Sequence, residues 1–235
     1  MKKLNFIIKY GLALLLLSFY SCESWLNVTP SDRLSEEMLF NDREGFVKAL
    51  NGVYIELNTN ELYGRNLTAG ALDVMGQYYS VASSSHAFYN YGGLVYTGND
   101  EKALFDNMWQ KCYAVIACCN TIIEKCDENK AGLSPVWKGS IKGEALALRA
   151  MLHFDMLRLF GPLTSELDKE SIPYQTNSDQ TVTPLLSGSE VVGLILDDLK
   201  NAVGLLKDTD PYFVEEEFSD TDLNYRRFRM NYFAA

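Results

Sequence analysis

Between residues 78 and 96 the chain places Tyr78, Tyr79, Phe88, Tyr89, Tyr91 and Tyr96 beside Asn90, Gly92 and Gly93, with Asn99 and Asp100 just beyond. Aromatic rings offer flat apolar faces, and amides and carboxylates offer hydrogen-bonding groups. Together they suit a ligand with C–H faces and hydroxyls, which is the chemistry of a sugar ring. Tyr89 and Tyr91 are the stronger binding candidates because Gly92-Gly93 beside them marks a turn, and Asn90 and Tyr96 complete the set. The same rings could equally pin a long loop onto a core, and the sequence leaves both uses open.

Other chemistry is conspicuous by its absence. No G-x-S-x-G, H-E-x-x-H or G-x-x-x-x-G-K motif occurs. A glycosidase needs two carboxylates facing one cleft, whereas the adjacent pairs Glu36-Glu37 and Asp197-Asp198 point apart on a helix and read as solvated. Cys112, Cys119 and Cys126 are seven residues apart and share a helix face, with Cys118 beside them. There is no C-x-x-C pair, and His86 and His153 lie far off in sequence, so these thiols read as small apolar fillers rather than zinc ligands. No catalytic residue, metal site or cofactor is expected. Glu144 and Arg149 fall inside an apolar pattern and are expected to pair with each other. His153, one turn on, is expected as a hydrogen-bonded core residue, and Trp109 and Trp137 as packing residues.

The N-terminus has its own chemistry. Lys2, Lys3 and Lys9 precede a short apolar run from Gly11 to Leu17, followed by Ser18, Phe19, Tyr20, Ser21 and Cys22. That layout is a secretory signal, and the run is too short for the roughly 20 apolar residues of a membrane span. Cys22 stands where a bacterial lipoprotein signal carries its lipidated thiol, although Phe19 replaces the usual aliphatic residue three positions earlier. Acyl chains on Cys22 would anchor the protein firmly; cleavage by an ordinary signal peptidase would leave a plain thiol. Residues 1–21 are expected as the signal peptide and residues 22–235 as the folded part.

The 235 residues carry 21 Lys+Arg against 31 Asp+Glu, a formal net charge of −10. An acidic chain of this kind is a poor match for nucleic acid, which demands clustered Lys and Arg. With 47% apolar and 12% aromatic residues, it reads as a globular chain able to bury a core.

The elements that must position these residues are mostly helices. Asn41-Asp42-Arg43-Glu44 reads as a capped helix start, followed by Phe46, Leu50, Val53 and Leu57 at helical spacing. From Tyr63 to Asn99 no period is sustained, and a long excursion with one short helix near 72–79 is expected. Phe105, Met108, Cys112, Val115, Cys119, Ile122 and Cys126 predict a helix over about 101–127. A second runs from Pro135-Val136 to the Gly161-Pro162 stop. Residues 163–186 read as a loop, and Ser187-Gly188-Ser189-Glu190 as a capping box opening a helix. Glu215, Glu216 and Glu217 read as solvated surface. Tyr225, Phe228 and Tyr232 predict a last helix from Asn224 that is still in mid-pattern at Ala235, so the chain reads as the front part of a longer protein. Paired helices of this kind suggest tetratricopeptide-like stacking without a strict repeat.

Several stretches, taken in order, resemble the SusD/RagB family of outer-membrane nutrient-binding lipoproteins of the Bacteroidetes. Cys22 is followed by Trp25-Leu26-Asn27-Val28 and Pro30; Phe40 precedes Ala49-Leu50-Asn51-Gly52-Val53-Tyr54. Trp109, Tyr113, Ile116 and Asn120 match a W-x-x-x-Y-x-x-I-x-x-x-N helix. The segment from Glu144-Ala145 through Arg149-Ala150, Phe154, Met156 and Phe160-Gly161 is similar to the family's E-A-x-x-x-R-A-x-x-x-F-x-L-x-x-x-F-G helix, with Met156 in place of Leu. Ile195 to Ala202 fits a following helix, and Met230 to Ala235 the start of the next. The resemblance implies a mainly α fold of tetratricopeptide-like helix pairs with long irregular loops, incomplete at the C-terminus. It also implies a lipid-anchored place on the outer membrane facing the cell exterior, a TonB-dependent transporter as partner, and no catalysis. The implied ligand is an oligosaccharide, with peptide or other nutrient capture, or a generic protein-binding scaffold, as the alternatives.

Overall fold

In the computed structural model, residues 36–179, 181–214, 218 and 229–235 are described; Cys22, the signal segment and the Glu215–Glu217 run lie outside them. After a one-turn helix α1 (Glu36–Leu39), α2 (Arg43–Leu57) opens at Asp42, whose Oδ1 accepts the Gly45 N–H at 2.8 Å. Within the expected 41–44 start the cap is Asp42, which holds the extended backbone that an N-cap requires. Phe46, Leu50, Val53 and Leu57 face inward, at the expected spacing.

The excursion from residue 58 to 98 is a chain of turns carrying two short helices, α3 (Ala71–Met75) and α4 (Tyr89–Gly92). It leads into α5 (Asn99–Glu128), which buries the stripe Met108, Cys112, Val115, Cys119, Ile122 and Cys126. The turn to α6 (Pro135–Phe160) is self-bonded. Asn129 takes the left-handed conformation, its Nδ2 donates to the Leu133 carbonyl, and its Oδ1 accepts the Leu133 N–H. Ser134 then caps α6 with Pro135 in its first turn.

Helix α6 is apolar around most of its circumference, and the structure shows why: α2, α5 and a third helix, α7 (Gly188–Thr209), all pack against it. The contact with α7 is close. A Cβ on Gly143 would come within 2.7 Å of the Leu206 side chain, and one on Gly139 within 2.6 Å of Thr209. Helix α7 begins with the expected capping box: Ser187 Oγ accepts the Glu190 N–H and Glu190 Oε2 accepts the Ser187 N–H at 2.9 Å.

Two expectations are corrected. Residues 163–186 are not all loop, for β1 (Glu170–Pro173) pairs antiparallel with β2 (Leu185–Ser187), Glu170 opposite Ser187 and Pro173 opposite Leu185. The last helix is absent over its described part, since residues 229–235 are turns and bends. Tertiary partners have captured the backbone there: Met230 N–H donates to the Tyr54 hydroxyl and Tyr232 N–H to Asp210 Oδ2. Among the described residues no helix is long and apolar enough to cross a membrane.

Candidate functional site

The aromatic loop is held in place by a few specific bonds. Gln77, with a left-handed backbone (φ 62°), donates through Nε2 to the Gly92 carbonyl at 3.1 Å, tying the end of α3 to the end of α4. Tyr78 and Tyr79 follow directly, 80% and 53% exposed. On α4, Tyr89 is 42% exposed and Tyr91 only 2%. Tyr91 turns inward, with its ring centroid 5.8 Å from Phe88, 6.4 Å from Tyr96 and 6.0 Å from Phe105. Tyr96 is half-buried against Phe105. Asn90 is exposed and donates to Glu101 Oε1 at 2.8 Å, which fixes its amide beside Tyr89.

The structure therefore divides the four sequence candidates by position. Tyr89 and Asn90 face solvent, Tyr96 lies at the margin, and Tyr91 pins the loop to the core. Exposure alternates within one helical turn, inward at Tyr91 and outward at Tyr89 and Asn90. Tyr78 and Tyr79 present more open ring surface than any of the four.

A second polar assembly lies where the sequence expected a simple pair. Arg149 does not pair with Glu144. Its Nε and Nη2 both reach Asp198, each at 2.7 Å, and Nη1 donates to Asn120 Oδ1 at 2.8 Å. Five residues of helix put Glu144 and Arg149 on different faces, and Glu144 accepts the Tyr54 hydroxyl at 2.6 Å instead. Asp198 is correspondingly buried rather than solvated. It also accepts the Tyr174 hydroxyl at 2.6 Å, and burial next to this carboxylate pushes the phenol pKa well above its ordinary value. Asn120 closes the assembly by donating to the carbonyls of Gln175 and Asn177.

His153 is the core residue expected, stacked on Tyr174 with centroids 3.9 Å apart. The Gln175 N–H donates to its Nε2 at 3.0 Å, so Nδ1 carries the proton that it shares with the Arg149 carbonyl at 2.9 Å. Burial drives its pKa down from 6.5 to about 4, and the ring is neutral at physiological pH. These groups are saturated by one another, the arrangement of a structural network rather than of a reaction centre. Burial likewise pushes Cys126 up to about 12, and no metal-competent cluster of His, Cys, Asp or Glu is found among the described residues.

A SusD-like family model, described as "Starch-binding associating with outer membrane", matches residues 24–219. SusD-like protein P38 of Formosa agariphila is 27% identical over 199 residues, covering 77% of this chain and 34% of that protein. SusD-like protein P2 of the same organism is 26% identical over 166 residues, covering 68% of this chain and 30% of that protein. The chain thus spans about a third of the length of these relatives. The fold is shared with a SusD-like carbohydrate binding protein from Bacteroides vulgatus, at TM-score 0.63 and 23% identity over 83% of this chain and 39% of that one. It is also shared with a SusD-like protein from Bacteroides fragilis, at TM-score 0.60 and 18% identity over 88% and 35%.

Proposed function

The chain belongs to the SusD/RagB family, and from that premise we propose that it is the helical front part of a cell-surface lipoprotein. In this reading the whole protein captures oligosaccharides and delivers them to a TonB-dependent outer-membrane transporter. Cys22 is the lipid attachment point, and the protein holds its ligand without altering it. The observation that carries the reading is the family match across residues 24–219. The exposed ring of Tyr89, with Tyr78 and Tyr79 on the adjoining turn, supports it locally: open aromatic faces beside an oriented amide are what a sugar ring stacks against.

The test is a glycan array on the full-length protein. A defined class of oligosaccharide should be retained, and Tyr89→Ala should weaken that retention about tenfold with little change in melting temperature. Tyr91→Ala should do the reverse, lowering stability by about 3–5 kcal/mol as a buried aromatic is removed. Retention of no glycan, or retention untouched by Tyr89→Ala and Tyr78→Ala together, sinks the assignment. In cells, a palmitate analogue should label the protein, and the label should vanish in Cys22→Ala; a label that persists there disproves the anchor.

A further inference from the structure

Glu101 is the buried acid of the aromatic loop, and its burial serves a residue that is exposed. It is 6% exposed, yet it forms no ion pair among the described residues; its hydrogen-bond partner there is the side-chain amide of Asn90. Burying a carboxylate without a cation is costly. Two local features offset the cost. Glu101 is the third residue of α5, a helix of 30 residues whose N-terminal end carries partial positive charge. Gly98, just before that helix, leaves the carboxylate its room, since a Cβ there would collide with Glu101 Oε2.

A carboxylate can only accept, so it decides which end of the Asn90 amide turns towards it. Nδ2 donates to Glu101 Oε1 at 2.8 Å, and Asn90 Oδ1 is left without a partner among the described residues. A hydrogen bond to a charged acceptor is about twice as strong as a neutral one, and it polarises the amide so that Oδ1 becomes a better acceptor. Asn90 is exposed and follows Tyr89 directly on α4. The local charge is acidic as well. Residues 58–102 carry Glu61, Asp73, Asp100 and Glu101 against Arg65 and Lys102. Arg65 lies over the Phe88 ring at 5.7 Å, its Nε donating to Asn66 Oδ1 at 3.2 Å. The negative field reaches α4: burial first, then the Glu101 and Asp100 carboxylates, raise the Tyr91 phenol above its ordinary pKa.

We propose that Glu101 is the positioning and specificity-determining residue of the aromatic loop. It holds Asn90 with the amide oxygen open to a ligand hydroxyl, and its charge turns away sugars that carry carboxylate or sulfate. The ligand class is therefore a neutral oligosaccharide. A neutral sugar has hydroxyl hydrogens to give to Asn90 Oδ1, whereas an ionised carboxylate or sulfate has none to give and meets a like charge behind the amide. The inference rests on the sugar reading of the loop and narrows it.

The full-length protein is applied at low salt to an array of neutral, uronate-containing and sulfated oligosaccharides, and the neutral glycan retained most strongly is titrated calorimetrically beside a galacturonate hexamer. The neutral glycan is expected to bind at least about tenfold more tightly. Glu101→Leu, which removes the acceptor, should weaken it about tenfold. Glu101→Gln, which restores an oxygen for the amide without the charge, should recover most of that loss and narrow the preference over galacturonate at least about threefold. Positioning through Asn90 further requires that Glu101→Leu cost nothing more once Asn90→Ala has removed the amide. Circular-dichroism melts establish that the variants fold. Retention of charged glycans ahead of every neutral one overturns the inference and leaves sugar capture standing. Equal losses from Glu101→Leu with and without the Asn90 amide overturn it too, as does a folded Glu101→Gln protein that binds no better than Glu101→Leu or keeps the full preference. An array that retains nothing sinks the sugar reading, and the inference with it.

Discussion

His153 sits with both ring nitrogens committed, Nδ1 to the Arg149 carbonyl and Nε2 to the Gln175 N–H. Protonation would put a second hydrogen where Nε2 now accepts, inside a buried site. The folded pKa, about 4, is accordingly below the ordinary 6.5. Above pH 6.5 the ring is neutral both folded and unfolded, and its full contribution to stability is present. As pH falls from 6.5 towards 4 the unfolded chain takes up a proton that the native state refuses. Stability is then lost at up to about 1.4 kcal/mol per pH unit, about 3 kcal/mol across the window. Urea titrations at pH 7.5 and 5.0 measure it: His153→Gln should be less stable at pH 7.5 yet lose less on acidification than the parent. Parallel losses would show that the ring is not the titrating group. The sequence made His153 legible as a core residue because an imidazole amid Leu152, Met156 and Leu157 must be satisfied internally. It could not supply the partner of Arg149, because Asp198 lies 49 residues away and is brought there only by the packing of α7 on α6. An Asp beside another Asp looks solvated until that packing is known.

At the scale of elements, the α6–α7 contact makes opposite predictions for two glycines. Gly143→Ala places a methyl against Leu206 and should destabilise by about 1–3 kcal/mol. Gly193→Ala, on α7 with open space around it, should stabilise by up to about 1 kcal/mol through helix propensity alone. Denaturant midpoints of the two variants should move in opposite directions; movement in the same direction would mean the helices do not approach as described. Local signals carried the helices well. The Ser187–Glu190 box and the Gly161 stop act within one turn, so adjacent residues contain all the information needed. The segment ending at Ala235 was misread for the converse reason. Tyr232 stands at helical spacing, but its N–H is taken by Asp210, 22 residues earlier. The short β1–β2 ladder was hidden because strands of four and three residues leave too little alternation to detect.

Across the whole molecule, aromatic rings make one continuous run. It passes from Phe88 through Tyr91, Phe105, Phe160, Trp109, Tyr113 and His153 to Tyr174, with successive centroids 3.9 to 6.2 Å apart. Mostly edge-on contacts of this kind add about 0.5–1.5 kcal/mol each beyond burial. They run from the loop bearing Tyr89 to Tyr174 beside Asp198. Phe105 is the junction, touching Tyr91, Tyr96 and Phe160. Phe105→Ala should raise amide hydrogen exchange over residues 63–98 while leaving the interior of α6 protected; equal loosening of both would show that the loop is not a separate cooperative unit. The loop itself was foreseen, yet its inward and outward rings could not be sorted from sequence, since a single turn of α4 decides which of Tyr89 and Tyr91 sees water.

The bonded turn at Asn129 bears on how this chain assembles in time. Two helices of 30 and 26 residues are joined through residues 129–134, so their ends meet at small entropic expense. The hairpin they make can nucleate early, before the distant partners Asp198 and Tyr174 arrive to close the polar interior. Asn129→Ala should therefore slow refolding more than it speeds unfolding, placing the starting point of the fold in its shortest connection between long helices.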